Sequence, residues 1–122
     1  MKIKILIPIY NDWQSLSKLL DEINLNLTDL DQEISVIIIN DASNHDRKNE
    51  VIEYDNINSI KVINMKFNQG HARCIASGLK YILEKEDFDY VIPMDGDGED
   101  RPVEIKEFLN QIRKFENKPI VG

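Results

Sequence analysis

The feature that most constrains this chain is a pair of near-continuous apolar runs, residues 3–9 (IKILIPI) and 34–39 (ISVIII). Neither shows the clean apolar–polar alternation of a strand with one wet face. Each therefore reads as a strand covered on both faces. Two further runs follow, at residues 60–65 (IKVINM) and 89–94 (DYVIPM). The segments between them repeat at helical spacing instead. Trp13, Leu16, Leu19, Leu20, Ile23 and Leu27 share one helical face, behind Asn11 or Asp12, either of which can cap the helix. Residues 71–85 put Ala72, Ile75, Ala76, Leu79 and Ile82 on one face. Residues 102–115 do the same with Ile105, Phe108, Leu109, Ile112 and Phe115, starting at Pro102, a favoured first helical position. A weaker helix is expected near residues 47–54, and Pro119 to Gly122 read as the start of a fifth strand.

Doubly covered strands separated by helices imply an α/β fold with a doubly wound, mostly parallel, Rossmann-like sheet. Right-handed crossovers and the strand order 3-2-1-4 are expected. That order sets a topological switch between strands 1 and 4. Ligands of open α/β sheets bind there, outside the carboxyl ends of the strands. A length of 122 residues suits a single domain spanning residues 1–122.

The formal charge of −7 argues against non-specific nucleic-acid binding, which needs clustered Lys and Arg. A phosphate-bearing ligand would need its charge offset locally, and a divalent cation is the obvious agent. The single cysteine, Cys74, has no partner for an internal disulfide and fits a reducing compartment. The first apolar run stops at Pro8, too short for a signal peptide or a membrane span. A cytoplasmic location is the default expectation.

Polar residues cluster where each strand ends: Tyr10, Asn11 and Asp12; Asn40, Asp41 and Ser43; Asn68, Gly70 and His71; Asp95, Asp97, Glu99 and Asp100. The densest is Asp95-Gly96-Asp97-Gly98-Glu99-Asp100. Crowded carboxylates repel one another, and Mg²⁺ or Mn²⁺ relieves that repulsion with hard oxygen ligands. Gly96 and Gly98 let the backbone approach a ligand closely. The bland alternative is a solvated acidic turn that caps the next helix. A calcium loop is excluded, because Asp100 stands at its glycine position and Lys106 at its final glutamate position. Asp41 either accepts hydrogen bonds from a base or ribose or closes an Asx-turn on its own backbone. The Asn68–Arg73 segment enters a helix, so its amides, with Gly70 at the turn, and Arg73 can meet phosphate. It lacks the Gly-Lys-Ser/Thr of a Walker loop. His71 is as readily a helix-start polar residue as a ligand, and His45 sits in a polar turn. Tyr10 can stack on a base or simply end a strand. Cys74 lies one residue off the apolar stripe and reads as packing, not as a nucleophile.

Taken in order, four segments are recognisable. Ile7-Pro8-Ile9-Tyr10-Asn11-Asp12, Asn40-Asp41-Ala42-Ser43-Asn44-His45-Asp46, Asn68-Gln69-Gly70-His71-Ala72-Arg73 and Met94-Asp95-Gly96-Asp97-Gly98-Glu99-Asp100-Arg101-Pro102 resemble the motifs of family 2 glycosyltransferases of the GT-A fold. The last resembles the DXD motif of the branch that includes the polyprenyl-phosphate sugar transferases. The resemblance implies a metal-dependent transfer of sugar from a nucleotide-diphosphate sugar to an acceptor, possible acceptors being a polyprenyl phosphate or a glycan. Pro8, Tyr10 and Asp12 would line the nucleotide pocket, Asp41 would contact base or ribose, and Asp95 would face ribose and diphosphate. Asp97 would hold Mg²⁺ or Mn²⁺, with Glu99 as second ligand. Asn40 stands where the family has its first aspartate, Ala42 where it has glycine, and Asp12 where it has glutamate. Glu99 and Arg101 replace a common Gln and Pro.

Family members continue well past this length. The chain is therefore expected to be the donor-binding part, truncated after the DXD helix. It should bind donor weakly, transfer nothing by itself and cover its apolar edge in a homodimer, and a longer parent could sit at the inner face of the membrane. The same residues also suit a nucleotide-sugar-binding module without transferase activity. A phosphate-accepting signalling domain would need a lysine at the end of a later strand, and no such strand follows.

Overall fold

A computed structural model describes residues 2–26, 33–42, 54–94 and 107 of the chain. Its elements run β1 (Lys2–Ile9), α1 (Trp13–Asn26), β2 (Glu33–Asn40), β3 (Ser59–Asn64), α2 (His71–Lys85) and β4 (Tyr90–Pro93). The sheet has four parallel strands in the order β3-β2-β1-β4, as the apolar runs predict. The expected helices near 47–54 and 102–115 and the expected fifth strand lie outside the described residues, except that Tyr54 is in a turn-like segment and Glu107 is helical.

Strand parity explains why β1 and β2 read as unbroken apolar runs. Successive side chains point to opposite faces of the sheet. Ile3, Ile5, Ile7 and Ile9 of β1, with Ile34, Val36 and Ile38 of β2, cluster with Leu16, Leu19, Leu20 and Ile23 of α1. Leu6, Ile37 and Ile39 point the other way and cluster with Cys74 and Ile82 of α2. Helices on both faces leave no wet side for either central strand. Register keeps each layer coherent, with Ile3 opposite Ile34, Ile5 opposite Val36 and Ile7 opposite Ile38.

The two helices match expectation to different degrees. On α1 the predicted face is buried at Leu16, Leu19, Leu20 and Ile23, with Trp13 partly buried; Leu27 is outside the described residues. On α2 the boundaries match but the buried stripe is rotated. Cys74, Gly78 and Ile82 are buried, Ile75 and Leu79 flank them, and Ala72 and Ala76 are exposed. The cause is distance. A Cβ at Gly78 would overlap Leu6 Cδ1 and lie 3.1 Å from Ile39 Cγ1. The helix lies so close to the side chains of β1 and β2 at Gly78 that any Cβ there would force the Leu6 side chain to shift.

Candidate functional site

Proline at position 8 shapes the carboxyl end of the sheet. In a parallel ladder each residue directs its N–H and C=O to the same neighbour. Lys2 O and Leu6 O accept from Asp89 N and Met94 N beside β4, at 2.7 and 2.8 Å, whereas Ile9 O accepts from Asp41 N beside β2 at 2.8 Å. Even positions of β1 thus face β4 and odd positions face β2. Pro8 has no N–H to offer toward β4. The β1–β4 pairing ends at Leu6–Pro93, while β1–β2 pairing continues to Ile9–Asn40. The two strands stop pairing at the topological switch, where Met94 leads into Asp95. Pro93 is tolerated because its missing donor points away from β1.

Beyond Pro8 the chain turns sharply. Asn11 has φ 61°, a left-handed conformation that asparagine tolerates better than most residues. Asp12 then caps α1: its Oδ1 accepts from Ser15 N at 3.3 Å and its carbonyl from Leu16 N at 3.2 Å. Of the two cap candidates, Asp12 fills the role and Asn11 makes the turn. Tyr10, at this turn, is 46% exposed.

Asp41 is the best-held polar group here. It continues the parity of Ile37 and Ile39, and so points toward α2. It is only 5% exposed. Its Oδ1 accepts from Gln69 N at 2.6 Å and its Oδ2 from Gly70 N at 3.0 Å. Asn68 Nδ2 reaches its carbonyl at 3.5 Å. The carboxylate bonds across 28 residues to the loop that opens α2; Ser43, whose amide an Asx-turn at Asp41 would use, lies outside the described residues. Two accepted amides leave lone pairs on both oxygens, so contact with a ligand donor stays chemically open.

Gly70 precedes α2 with φ 87° and ψ 160°, a region almost reserved for glycine. No side chain caps the helix there. Arg73 Nη1 donates to Gln69 Oε1 at 3.3 Å, which ties the guanidinium to the same loop. Cys74 is fully buried. Burial, followed by a hydrogen bond to Asp41, pushes its thiol up from 9.0 to about 11. The packing role expected from sequence is therefore joined by a polar one. At the neighbouring strand ends Asn40 Nδ2 donates to Asn64 Oδ1 at 2.9 Å and Asn40 O accepts from Met65 N at 2.9 Å. Ala42, in the place of a family glycine, has φ 56°.

The structure thus brings Tyr10, Asp12, Asp41 and Gly70 to one end of the sheet, with Pro8 buried beneath them. Asp95, Gly96, Asp97 and Glu99 lie outside the described residues. Among the described residues no group of three or more His, Cys, Asp or Glu can hold a metal. None of their helices is long and apolar enough to cross a membrane. Sequence reasoning missed Gln69 and Cys74 as partners of Asp41. The available signal was parity, since Asp41 shares the face of Ile37 and Ile39 and Cys74 falls in the first turn of the helix opposite.

Comparisons with known proteins bear on the fold and the family. An undecaprenyl-phosphate 4-deoxy-4-formamido-L-arabinose transferase of Proteus mirabilis is 31% identical over 110 residues, covering 88% of this chain and 32% of that protein. An uncharacterised glycosyltransferase of Synechocystis sp. is 29% identical over 115 residues, covering 93% of this chain and 35% of that protein. The chain spans about a third of the length of either relative. The crystal structure of S. aureus TarS residues 1–349 in complex with UDP-GlcNAc superposes with TM-score 0.67 at 20% identity, covering all of this chain and 37% of that one. At that identity the likeness speaks for the fold. The family model for glycosyl transferase family 2 matches residues 4–122, and the chain belongs to that family.

Proposed function

We propose that these residues form the donor side of a glycosyltransferase, binding a nucleotide-diphosphate sugar with Mg²⁺ or Mn²⁺ and presenting it to an acceptor. The carrying observation is Asp41. One buried carboxylate gathers the end of β2 and the loop entering α2 at the carboxyl end of the sheet, and its own amide is held by the end of β1. A preorganised acceptor beside an exposed Tyr10 suits a nucleoside. The relatives named as glycosyltransferases, and the TarS complexes with UDP-GlcNAc and with UDP, support the same ligand class.

Asp95, Asp97 and Glu99 supply the hard carboxylate oxygens that Mg²⁺ or Mn²⁺ takes, and they follow directly on Met94, whose amide is fixed to Leu6 O at 2.8 Å. Asp97 and Glu99 would hold the ion, and Asp95 would face the ribose and diphosphate. A bound cation would offset charge on the departing diphosphate. Pro8, Tyr10 and Asp12 would line the nucleotide pocket, and Gly70 with Gly96 allows close backbone approach. The acceptor is proposed to be a polyprenyl phosphate or a glycan, held by parts of the protein outside these residues.

Calorimetric titration with UDP, GDP, dTDP and CDP, each with Mn²⁺ and with excess EDTA, tests the reading. One nucleotide should bind, and only with the metal. Asp97→Ala should remove the metal dependence, and Asp41→Ala should cost about 1–3 kcal/mol of binding. Equal affinity in EDTA would refute the metal's role, and absence of binding by all four would refute the donor site.

A further inference from the structure

We infer that Asp41 acts as a positioning residue, a clamp that fixes the Gln69–Gly70 turn against the sheet, and that the Cys74 thiol is the third fastener of that clamp. The nucleotide-contacting role is a separate matter, and only the clamp's effect on ligand affinity rests on the function proposed above.

Three observations carry the clamp. First, both carboxylate oxygens are engaged by consecutive backbone amides, at 2.6 and 3.0 Å. Two parallel bonds to one planar group set the orientation of the peptide, not merely its distance. Second, the residue being oriented is Gly70, whose φ of 87° and ψ of 160° begin α2. Glycine has this conformation and many others open to it, and open space around the Gly70 Cβ position means that packing does not select it. Hydrogen bonding is left as the determinant. Third, Cys74 is fully buried one turn into α2, its amide on Gly70 O at 3.1 Å, and it packs in the cluster of Leu6, Ile37 and Ile39, on the face whose parity Asp41 continues; hydrogen bonding to Asp41 is among the causes that raise its thiol. The Cys74 side chain has no surface open to solvent, so a ligand has no direct access to it.

This arrangement separates two ways of weakening the site. A change at Asp41 removes clamp and ligand contact together. Cys74 contacts Asp41 from inside the protein, so a change there acts on a ligand only through Asp41. Serine keeps a donor in nearly the same place, whereas alanine removes it.

The experiment is amide hydrogen exchange resolved at Gln69 and Gly70, on the whole chain and on Asp41→Asn, Cys74→Ala and Cys74→Ser, with β1 and β2 amides as the internal reference for global stability. In the unaltered chain the two amides should exchange far more slowly than those of the exposed Lys66 and Phe67. Asp41→Asn should speed both by at least roughly tenfold relative to the reference, Cys74→Ala by less, and Cys74→Ser hardly at all. Equal exchange at Gln69, Gly70, Lys66 and Phe67 in the unaltered chain would overturn the clamp, even if every variant failed to fold. UDP titration with Mn²⁺ of the same proteins adds the functional arm. Weaker binding by Cys74→Ala, restored in Cys74→Ser, supports positioning, and unchanged binding by Cys74→Ala removes the thiol from the donor site. If the unaltered chain binds no nucleotide, the donor-site reading fails, and exchange alone still decides the clamp.

Discussion

The two faces of the sheet are built on different terms. The α1 face is a conventional core of seven strand positions from β1 and β2 and four leucine and isoleucine positions from α1, all apolar. Among the described residues, the α2 face holds fewer large buried side chains and both of the buried polar positions, Ser35 and Asp41. It also holds a close approach of helix backbone to strand side chains, at Gly78. Two faces of the same strands thus divide the work. One supplies most of the apolar burial that holds the sheet together. The other brings a helix near enough for a carboxylate at the end of β2 to reach the amides at the helix entrance. Substitutions should therefore separate into those that cost stability and those that disturb the loop.

The largest effect should come from the α1 face. Ile38 is fully buried there, and Ile38→Ala should lower unfolding free energy by about 2–5 kcal/mol, read by urea denaturation. A loss below that range would mean that the α1 face is not the main core. On the α2 face Gly78→Ala should cost about 1–3 kcal/mol through overpacking against Leu6 and Ile39. It should also push the start of α2 outward and so speed exchange at Gly70, which Ile38→Ala should do only in step with global stability. A neutral Gly78→Ala would show that the helix can retreat freely, and the contrast between the faces would weaken.

Smaller effects sharpen the same comparison at the strand ends. Ala42 holds φ 56°, where a Cβ costs about 1–2 kcal/mol, part of which glycine returns as lost chain entropy. Ala42→Gly should then raise stability by roughly 0.5–1 kcal/mol, measured as a shift in denaturation midpoint. The smallest effect at neutral pH concerns Cys74, because it arises only in alkali. Its thiol is raised from 9.0 to about 11. The folded chain therefore keeps a proton that the unfolded chain gives up. That contribution is complete below pH 9 and is lost as pH climbs toward 11. Cys74→Ser should flatten this part of the stability profile, and an unchanged slope would assign the alkaline loss to other groups, such as Tyr54.

The difference between the faces also explains what could be read in advance. Apolar burial leaves its mark in local spacing, so β1, β2, α1 and the ends of α2 are visible as runs and periods. Strand order followed from short right-handed connections. The rotated stripe of α2 was not visible, because alanine counts as apolar and glycine does not, whereas the packing distance favours Gly78 and Cys74. Asp41 was visible as a polar residue after a strand, but its partners were not. They lie 28 and 29 residues away, and no local pattern links them. Pro8 was legible as part of a motif. Its effect on the β1–β4 ladder depends on which neighbour its missing N–H would face, and that requires the register.

The most direct test of the account is where a nucleotide touches the chain. UDP with Mg²⁺ titrated into isotope-labelled protein should shift the amide resonances of Tyr10, Asp12, Asp41 and Gly70, at the carboxyl ends of the strands. It should leave those of Lys2, Glu33 and Asp89, at the amino ends, in place. Saturable shifts confined to the first group are the predicted result. Shifts centred on the second group, or saturable shifts unchanged when Mg²⁺ is removed, would contradict it.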